Sequence, residues 1–132
     1  MEKIALLFLL GVSVMLLTLG ASPIPTITKE DVRKEIIKNK ILFPEIVLAQ
    51  SILETGWYKC KNCSLRKNNI FGFWYKGAYI EYSSWQESVS YYARWQSRHY
   101  DGGDYYEFLK KVGYAEDPEY CNKLKIIVNE KL

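Results

Sequence analysis

Residues 44–56 read Pro44-Glu45-Ile46-Val47-Leu48-Ala49-Gln50-Ser51-Ile52-Leu53-Glu54-Thr55-Gly56. Proline is tolerated at the first position of a helix, because the N–H that it lacks would have no partner there. Gly56 is typical of a C-terminal helix cap. The apolar residues between these two ends are too many for one exposed face. The stretch therefore predicts a buried helix, around which the other elements must pack.

The remaining helices are predicted from capping residues and apolar spacing. Their start signals are Thr28 before Asp31, Ser84 before Glu87, Asp104 before Glu107, and Asp117-Pro118. We expect the first helix to reach about Lys40, with Val32, Ile36 and Ile37 on its apolar face. We expect Gly113 to close the fourth.

Two segments lack a helical pattern. Residues 58–69 are polar and predict a loop. Residues 70–82 alternate aromatic and β-branched types around Lys76-Gly77 and predict a short hairpin. The expected fold is mainly α, with about five helices and one short β-hairpin.

Composition limits the function classes. The chain has 132 residues and a formal net charge of +3, which suits one domain and gives no basic stripe for nucleic acid. Aromatic residues make up 15%, including 11 tyrosines. A buried tyrosine hydroxyl needs a hydrogen-bond partner. An aromatic-lined site beside the core is therefore a reasonable expectation.

The N-terminus indicates export. An apolar run over residues 4–20 follows Lys3, and the small residues Ala21 and Ser22 come next. This pattern predicts a cleaved signal peptide over residues 1–21. Because the run is barely long enough to span a bilayer, a retained membrane anchor is the alternative. In either case we expect the domain in the periplasm, in the cell envelope or secreted.

The three cysteines leave alternatives open. An odd number in an exported chain leaves at least one thiol unpaired or paired between chains. Cys60, Cys63 and Cys121 could form one disulfide or remain three thiols. Together with His99, the only histidine, they could in principle hold zinc, although no second C-x-x-C motif supports that interpretation. We expect no metal and no cofactor.

Glu54 is the residue whose position suggests chemistry. It lies on the last turn of the buried helix, where the partial negative charge of the helix end disfavours ionisation. Apolar neighbours, with Trp57 as a candidate, disfavour the charged form again. A carboxyl group that stays protonated is what a general acid for glycoside cleavage needs. The alternative is an exposed, hydrated glutamate.

Four segments resemble, in the same order, signature elements of glycoside hydrolase family 73, the bacterial glucosaminidases. They are Ala49-Gln50-Ser51-Ile52-Leu53-Glu54-Thr55-Gly56-Trp57, Asn68-Asn69-Ile70-Phe71-Gly72, Tyr82-Ser83-Ser84-Trp85-Gln86-Glu87-Ser88-Val89, and Gly113-Tyr114-Ala115-Glu116-Asp117-Pro118-Glu119-Tyr120 with Lys123-Leu124. The resemblance covers about residues 45–128.

The resemblance implies a lysozyme-like catalytic domain over residues 44–132, after a lead-in and first helix over residues 22–43. It implies cleavage of the β-1,4 bond between N-acetylglucosamine and N-acetylmuramic acid in peptidoglycan. Glu54 matches the family's general acid and Tyr114 a tyrosine near its cleft. The cleft-shaping turn, counted among the substrate-binding residues, matches Asn69, Phe71 and Gly72.

The stretch between the second and third elements is shorter than in many family members. Glu81 is its only carboxylate and is the candidate second acid. If Glu81 takes no part, the 2-acetamido group of the substrate could act as the nucleophile, with Tyr114 orienting it. Of the nearby aromatic residues, we expect Trp57 and Tyr79 to stack on sugars.

The expected partners are peptidoglycan glycan strands, with membrane contact only through the N-terminal segment, and the expected state is a monomer. Another hypothesis is a glycan-binding or scaffold module of the same fold that has lost activity.

Overall fold

The computed structural model describes residues 26–132, so the predicted signal peptide or anchor and residues 22–25 of the lead-in lie outside the described residues. The helices in this range are α1 (Lys29–Lys38), α2 (Pro44–Thr55), α3 (Trp85–His99), α4 (Tyr105–Lys111) and α5 (Tyr120–Glu130). Strands β1 (Trp74–Tyr75) and β2 (Ala78–Tyr79) form an antiparallel hairpin. The prediction of a mainly α domain with one short hairpin is confirmed. No helix within residues 26–132 has the length and apolar character needed to cross a bilayer.

Helix α2 occupies the centre of the domain. Val47, Leu48, Ala49 and Ile52 are fully buried, and α2 packs against α1 on one side and α5 on another. Pro44 is its first residue, and Gly56 ends it with a φ of +53°. The predicted buried helix is therefore present with both of its predicted ends.

Three predicted N-caps form as expected. Their side chains accept hydrogen bonds from backbone N–H groups three residues on: Thr28 from Asp31 (3.1 Å), Ser84 from Glu87 (3.2 Å) and Asp104 from Glu107 (2.9 Å). These bonds satisfy donors that a helix end leaves unpaired. They fix where α1, α3 and α4 begin.

Two helix boundaries differ from the prediction. Helix α1 stops at Lys38, and Ile37 is 58% exposed, because only Val32 and Ile36 point into the core. Helix α5 begins at Tyr120 instead of Pro118. The Asp117 side chain accepts from the Glu119 N–H (2.9 Å) and closes a separate turn before the helix.

The loop predicted for residues 58–69 contains a short 3-10 helix, Ser64–Lys67. Its cap is the Cys63 sulfur, which accepts from the Leu65 N–H at 3.5 Å. Sulfur is a weak acceptor and does not signal a helix start in a sequence. The polar composition of the segment therefore concealed the element.

The hairpin places aromatic residues at the surface. Trp74 pairs with Tyr79, and their rings meet edge to face at 4.8 Å. The turn residues Lys76 and Gly77 both have positive φ, as a two-residue type I′ turn requires. The predicted turn position is confirmed.

Candidate active site

Glu54 and Gly72 meet at the end of α2. A Cβ built on Gly72 would lie 2.6 Å from Glu54 Oε2 and 3.0 Å from Cδ, and Gly72 has a φ of +70°. Both the backbone conformation and the lack of a side chain are therefore needed at this position. This contact joins the first of the four matched segments, which contains Glu54, to the second, which contains Gly72.

The turn that carries Gly72 is held by hydrogen bonds from Asn69 and by the packing of Phe71. Asn69, 0% exposed, donates its amide to the carbonyls of Phe73 (2.8 Å) and Ile80 (3.0 Å) and accepts from the Phe73 N–H (3.1 Å). Phe71 is also fully buried and packs on Tyr92 at 4.6 Å. Asn69 and Phe71 thus shape the turn from inside and present no side chain to a ligand.

Tyr114 joins this turn to the segment before α5. Its hydroxyl donates to the Phe71 carbonyl at 2.6 Å. Its ring stacks on Tyr120 at 5.8 Å and meets Trp95 edge to face at 5.5 Å. Burial raises the pKa of Tyr114 well above its ordinary value, so the hydroxyl remains a neutral donor.

The environment of Glu54 favours its protonated form. Burial raises the pKa of this carboxyl above 4.5, and a hydrogen bond from the Tyr120 hydroxyl partly lowers it. The C-terminal end of α2 acts in the same direction as burial. The sequence suggested Trp57 as an apolar neighbour of Glu54, and the structure leaves the Trp57 side chain 41% exposed. The direction agrees with the one expected from the sequence.

A surface cleft of about 340 Å³ begins at Gly72 and Tyr114. Trp74 and Trp95 also line it, as does His99, whose ring stacks on Trp95 at 5.5 Å. Aromatic faces beside polar edges suit a carbohydrate. The cleft shares Gly72 with the contact to the Glu54 carboxyl.

Glu81 and Tyr79 line a different depression. It has a volume of about 400 Å³ and is shared with Arg66 and Lys67. Glu81 is exposed there, and Tyr79 is 38% exposed on β2. Gly72, Tyr114 and Trp74 thus share one cleft, while Glu81 and Tyr79 share another. Trp57 lies in neither set of lining residues.

Several buried polar residues around Glu54 were not predicted as part of the site. They are Gln50, Tyr92, Gln96, Tyr105 and Tyr120, joined by side-chain hydrogen bonds. Two sequence signals pointed to them: a glutamine inside the most apolar helix, and a tyrosine content too high for an unpartnered core. Which tyrosine meets which partner depends on the packing of four helices.

The cysteines are arranged as a Cys60–Cys63 disulfide and a buried Cys121 thiol, which donates to the Tyr106 carbonyl at 3.5 Å. Among residues 26–132 no group of three or more histidine, cysteine, aspartate or glutamate side chains could hold a metal ion.

Comparison with known proteins gives one family and one curated relative. Residues 29–131 match the family described as mannosyl-glycoprotein endo-beta-N-acetylglucosaminidase. The exo-glucosaminidase LytG of Bacillus subtilis (strain 168) is 28% identical in an alignment of 125 positions, and the alignment covers 67% of this chain and 44% of the relative. The chain therefore spans less than half the length of that relative. No solved structure matches.

Proposed function

The chain belongs to the mannosyl-glycoprotein endo-beta-N-acetylglucosaminidase family, and on that premise we propose that it is an exported peptidoglycan hydrolase. The family supports hydrolysis of a glycosidic bond as the reaction. The finer proposal is cleavage of the β-1,4 bond between N-acetylglucosamine and N-acetylmuramic acid. The observation that carries it is the Glu54 carboxyl, whose pKa is raised by burial and which lies against Gly72, a residue that lines an aromatic cleft.

Glu54 is the proposed general acid. A protonated carboxyl behind Gly72 of the cleft can deliver its proton to the glycosidic oxygen as the bond to the sugar breaks. Efficient proton transfer requires a group that is still protonated at the working pH. Burial raises the pKa of Glu54 in the direction that this requirement needs, and its contact with Gly72 holds the carboxyl in place.

The geometry favours the substrate-assisted route. Tyr114 lies at the inner end of the cleft beside Gly72, and its oxygen has lone pairs free after its proton is donated to Phe71. That oxygen can accept the N–H of a 2-acetamido group and turn the acetamido carbonyl toward the anomeric carbon. Glu81, the candidate base of an inverting route, lines the other depression. The acetamido oxygen bonds to the anomeric carbon as the leaving group departs with the proton from Glu54, and water then opens this cyclic intermediate while the Glu54 carboxylate takes the proton of the water, so the anomeric configuration is retained.

The surface features suit a glycan polymer as partner. On the hairpin, Trp74 of β1 lines the cleft and Tyr79 of β2 lines the other depression. Each place therefore offers an aromatic side chain to a glycan strand. We propose that a monomer acts on glycan strands outside the cytoplasm, reached by export through the segment before residue 26. Contact with the membrane would come only from that segment.

The test compares cell-wall clearing by wild type, Glu54→Gln and a matched exposed variant, Glu116→Gln. We expect Glu54→Gln to lose about 10²- to 10⁴-fold in rate while still binding walls, because a general acid contributes that much. Glu116→Gln should clear walls normally. Equal clearing by Glu54→Gln and wild type would refute the role of Glu54. Wall binding with no clearing by any of the three would favour the inactive binding module.

Product analysis tests the finer assignments. Mass spectrometry of released fragments should show a new reducing N-acetylglucosamine end. Proton NMR of fresh product should show the β-anomer first. An α-anomer would exclude the substrate-assisted route and return Glu81 as the candidate base.

A further inference from the structure

A chain of buried hydrogen bonds crosses the core and ends at Tyr120, whose hydroxyl meets Gln50 one helical turn before Glu54. We refer to its five side chains as the core network: Gln96, Tyr105, Tyr92, Gln50 and Tyr120. They come from four different helices, and each is at most 6% exposed. Buried polar groups of this kind stabilise one arrangement when all are paired.

The first bonds of the core network have a defined direction. Tyr92 donates to Gln50 Oε1 at 2.5 Å, and a carbonyl oxygen can only accept. The single proton of Tyr92 is thereby used. In the 2.6 Å contact between Tyr92 and Tyr105, Tyr105 must therefore donate. Gln96 Nε2 in turn donates to the Tyr105 oxygen at 3.0 Å.

The same direction continues to the catalytic end. With Oε1 of Gln50 occupied by Tyr92, its amide nitrogen faces Tyr120 and donates to the hydroxyl oxygen at 3.3 Å. The proton of Tyr120 is then free for another acceptor. Glu54 lies four residues after Gln50 on the same face of α2, which turns its carboxyl to the side where Gln50 meets Tyr120, and the Tyr120 hydroxyl lowers the pKa of that carboxyl.

The opposite end is anchored to the backbone. The Leu42 N–H donates to Gln96 Oε1 at 2.8 Å, and Gln96 Nε2 donates to the Leu42 carbonyl at 3.0 Å. This pair of bonds fixes the orientation of the Gln96 amide, so each later donor can point in only one direction.

We propose that Tyr120 is a positioning residue for Glu54, and that Gln50 orients the Tyr120 hydroxyl through the core network. Tyr120 holds the carboxyl in a single rotamer beside Gly72 and donates to the carboxylate that forms when the proton leaves. The inference rests on the proposed role of Glu54 as general acid. Burial raises the pKa of Glu54 and so favours its protonated form before the reaction, and Tyr120 stabilises the carboxylate after it.

The test is a titration of Glu54 that does not depend on activity. The carboxyl ¹³C signal, assigned by its loss in Glu54→Gln, is followed against pH in wild type, Tyr120→Phe and Gln50→Met. Tyr106→Phe is the matched control, because it also removes one tyrosine hydroxyl but its ring packs under Lys125 at the surface.

Tyr120→Phe should raise the pKa of Glu54 above the wild-type value, because the donor to the charged form is lost. The basic limb of the kcat/KM profile should move to higher pH, and the plateau should fall about tenfold. Gln50→Met should shift the pKa of Glu54 and the basic limb in the same direction but by less, because Tyr120 keeps its hydroxyl and loses only the group that orients it. Tyr106→Phe should change neither.

An unchanged or lowered pKa of Glu54 in both Tyr120→Phe and Gln50→Met would overturn the proposal, because the Tyr120 proton would then point to Gln50 instead. Should Tyr120→Phe fail to fold, Gln50→Met alone decides. The titration remains informative if walls are not cleared, so failure of the proposed function is distinguishable from failure of the positioning role.

Discussion

The Glu54 carboxyl rests directly on the Cα of Gly72, and a methyl group at that Cα would come within 2.6 Å of Oε2. Glycine at this position therefore serves two purposes. It allows a φ of +70°, and it leaves the volume that the carboxyl fills.

Gly72→Ala should separate these two effects when compared with Gly103→Ala. Gly103 has a φ of +85° with no atom within 4 Å of a built Cβ, so both variants pay about 1–2 kcal/mol for a left-handed alanine. Only Gly72→Ala should also displace Glu54, with a loss of about 100-fold in wall clearing. Denaturant unfolding and turbidity assays measure the two quantities. Equal activity of the two variants would contradict the contact.

The burial of Glu54 predicts a pH-dependent stability difference. Its pKa is raised in the folded state, so the stability linked to its proton is complete below about pH 4.5 and is lost as the pH rises through the folded pKa. Glu54→Gln cannot ionise. Its melting temperature relative to wild type should therefore increase from about pH 4 to about pH 8. A constant difference across that range would show a carboxyl with an ordinary pKa.

Asn69→Ala should destabilise the domain by about 3 kcal/mol, because the Ile80 carbonyl and the Phe73 N–H lose their Asn69 partner and the Phe73 carbonyl loses one of its two donors. Asn62→Ala, in the exposed loop, is the control and should stay within about 0.5 kcal/mol of wild type. Urea unfolding measures both. A small effect of Asn69→Ala would mean that water replaces its amide without penalty.

The Cys60–Cys63 disulfide closes a very short loop, so it should stabilise the folded state by only about 2 kcal/mol. The double variant Cys60→Ser with Cys63→Ser should lose that amount, and reduction of wild type should lose the same. The double variant itself should not respond to reductant. Stability that falls further on reducing the double variant would point to a bridge involving Cys121.

Local signals made most of the fold predictable. Pro44 and Gly56 bounded α2, and Thr28, Ser84 and Asp104 capped their helices, because each acts on backbone groups a few residues away. The 3-10 helix escaped prediction because its cap is a cysteine sulfur. Ile37 was wrongly placed on the buried face of α1. The apolar spacing along one helix does not show how far a neighbouring helix extends to cover it.

The site was predictable in its parts but not in its connections. Position on α2 and the apolar surroundings made Glu54 a candidate, and the resemblance to glycoside hydrolase family 73 selected it. Its contacts with Gly72 and Tyr120 join residues 18 and 66 positions away along the chain, and only the packing of the helices brings them together. Likewise, Glu81 lines one depression and Tyr114 lines the other cleft, and this separation depends on the folded position of the hairpin.

Helix α2 is both the centre of the packed interior and the carrier of Glu54. Because Glu54 is part of this buried helix, we expect its carboxyl to leave its place only when the domain unfolds. Turnover in rising denaturant should vanish together with the native tryptophan fluorescence, not ahead of it. The hairpin tip does not hold Glu54. Its residues can therefore change, and with them the ligands that the hairpin contacts, without displacing the carboxyl on α2.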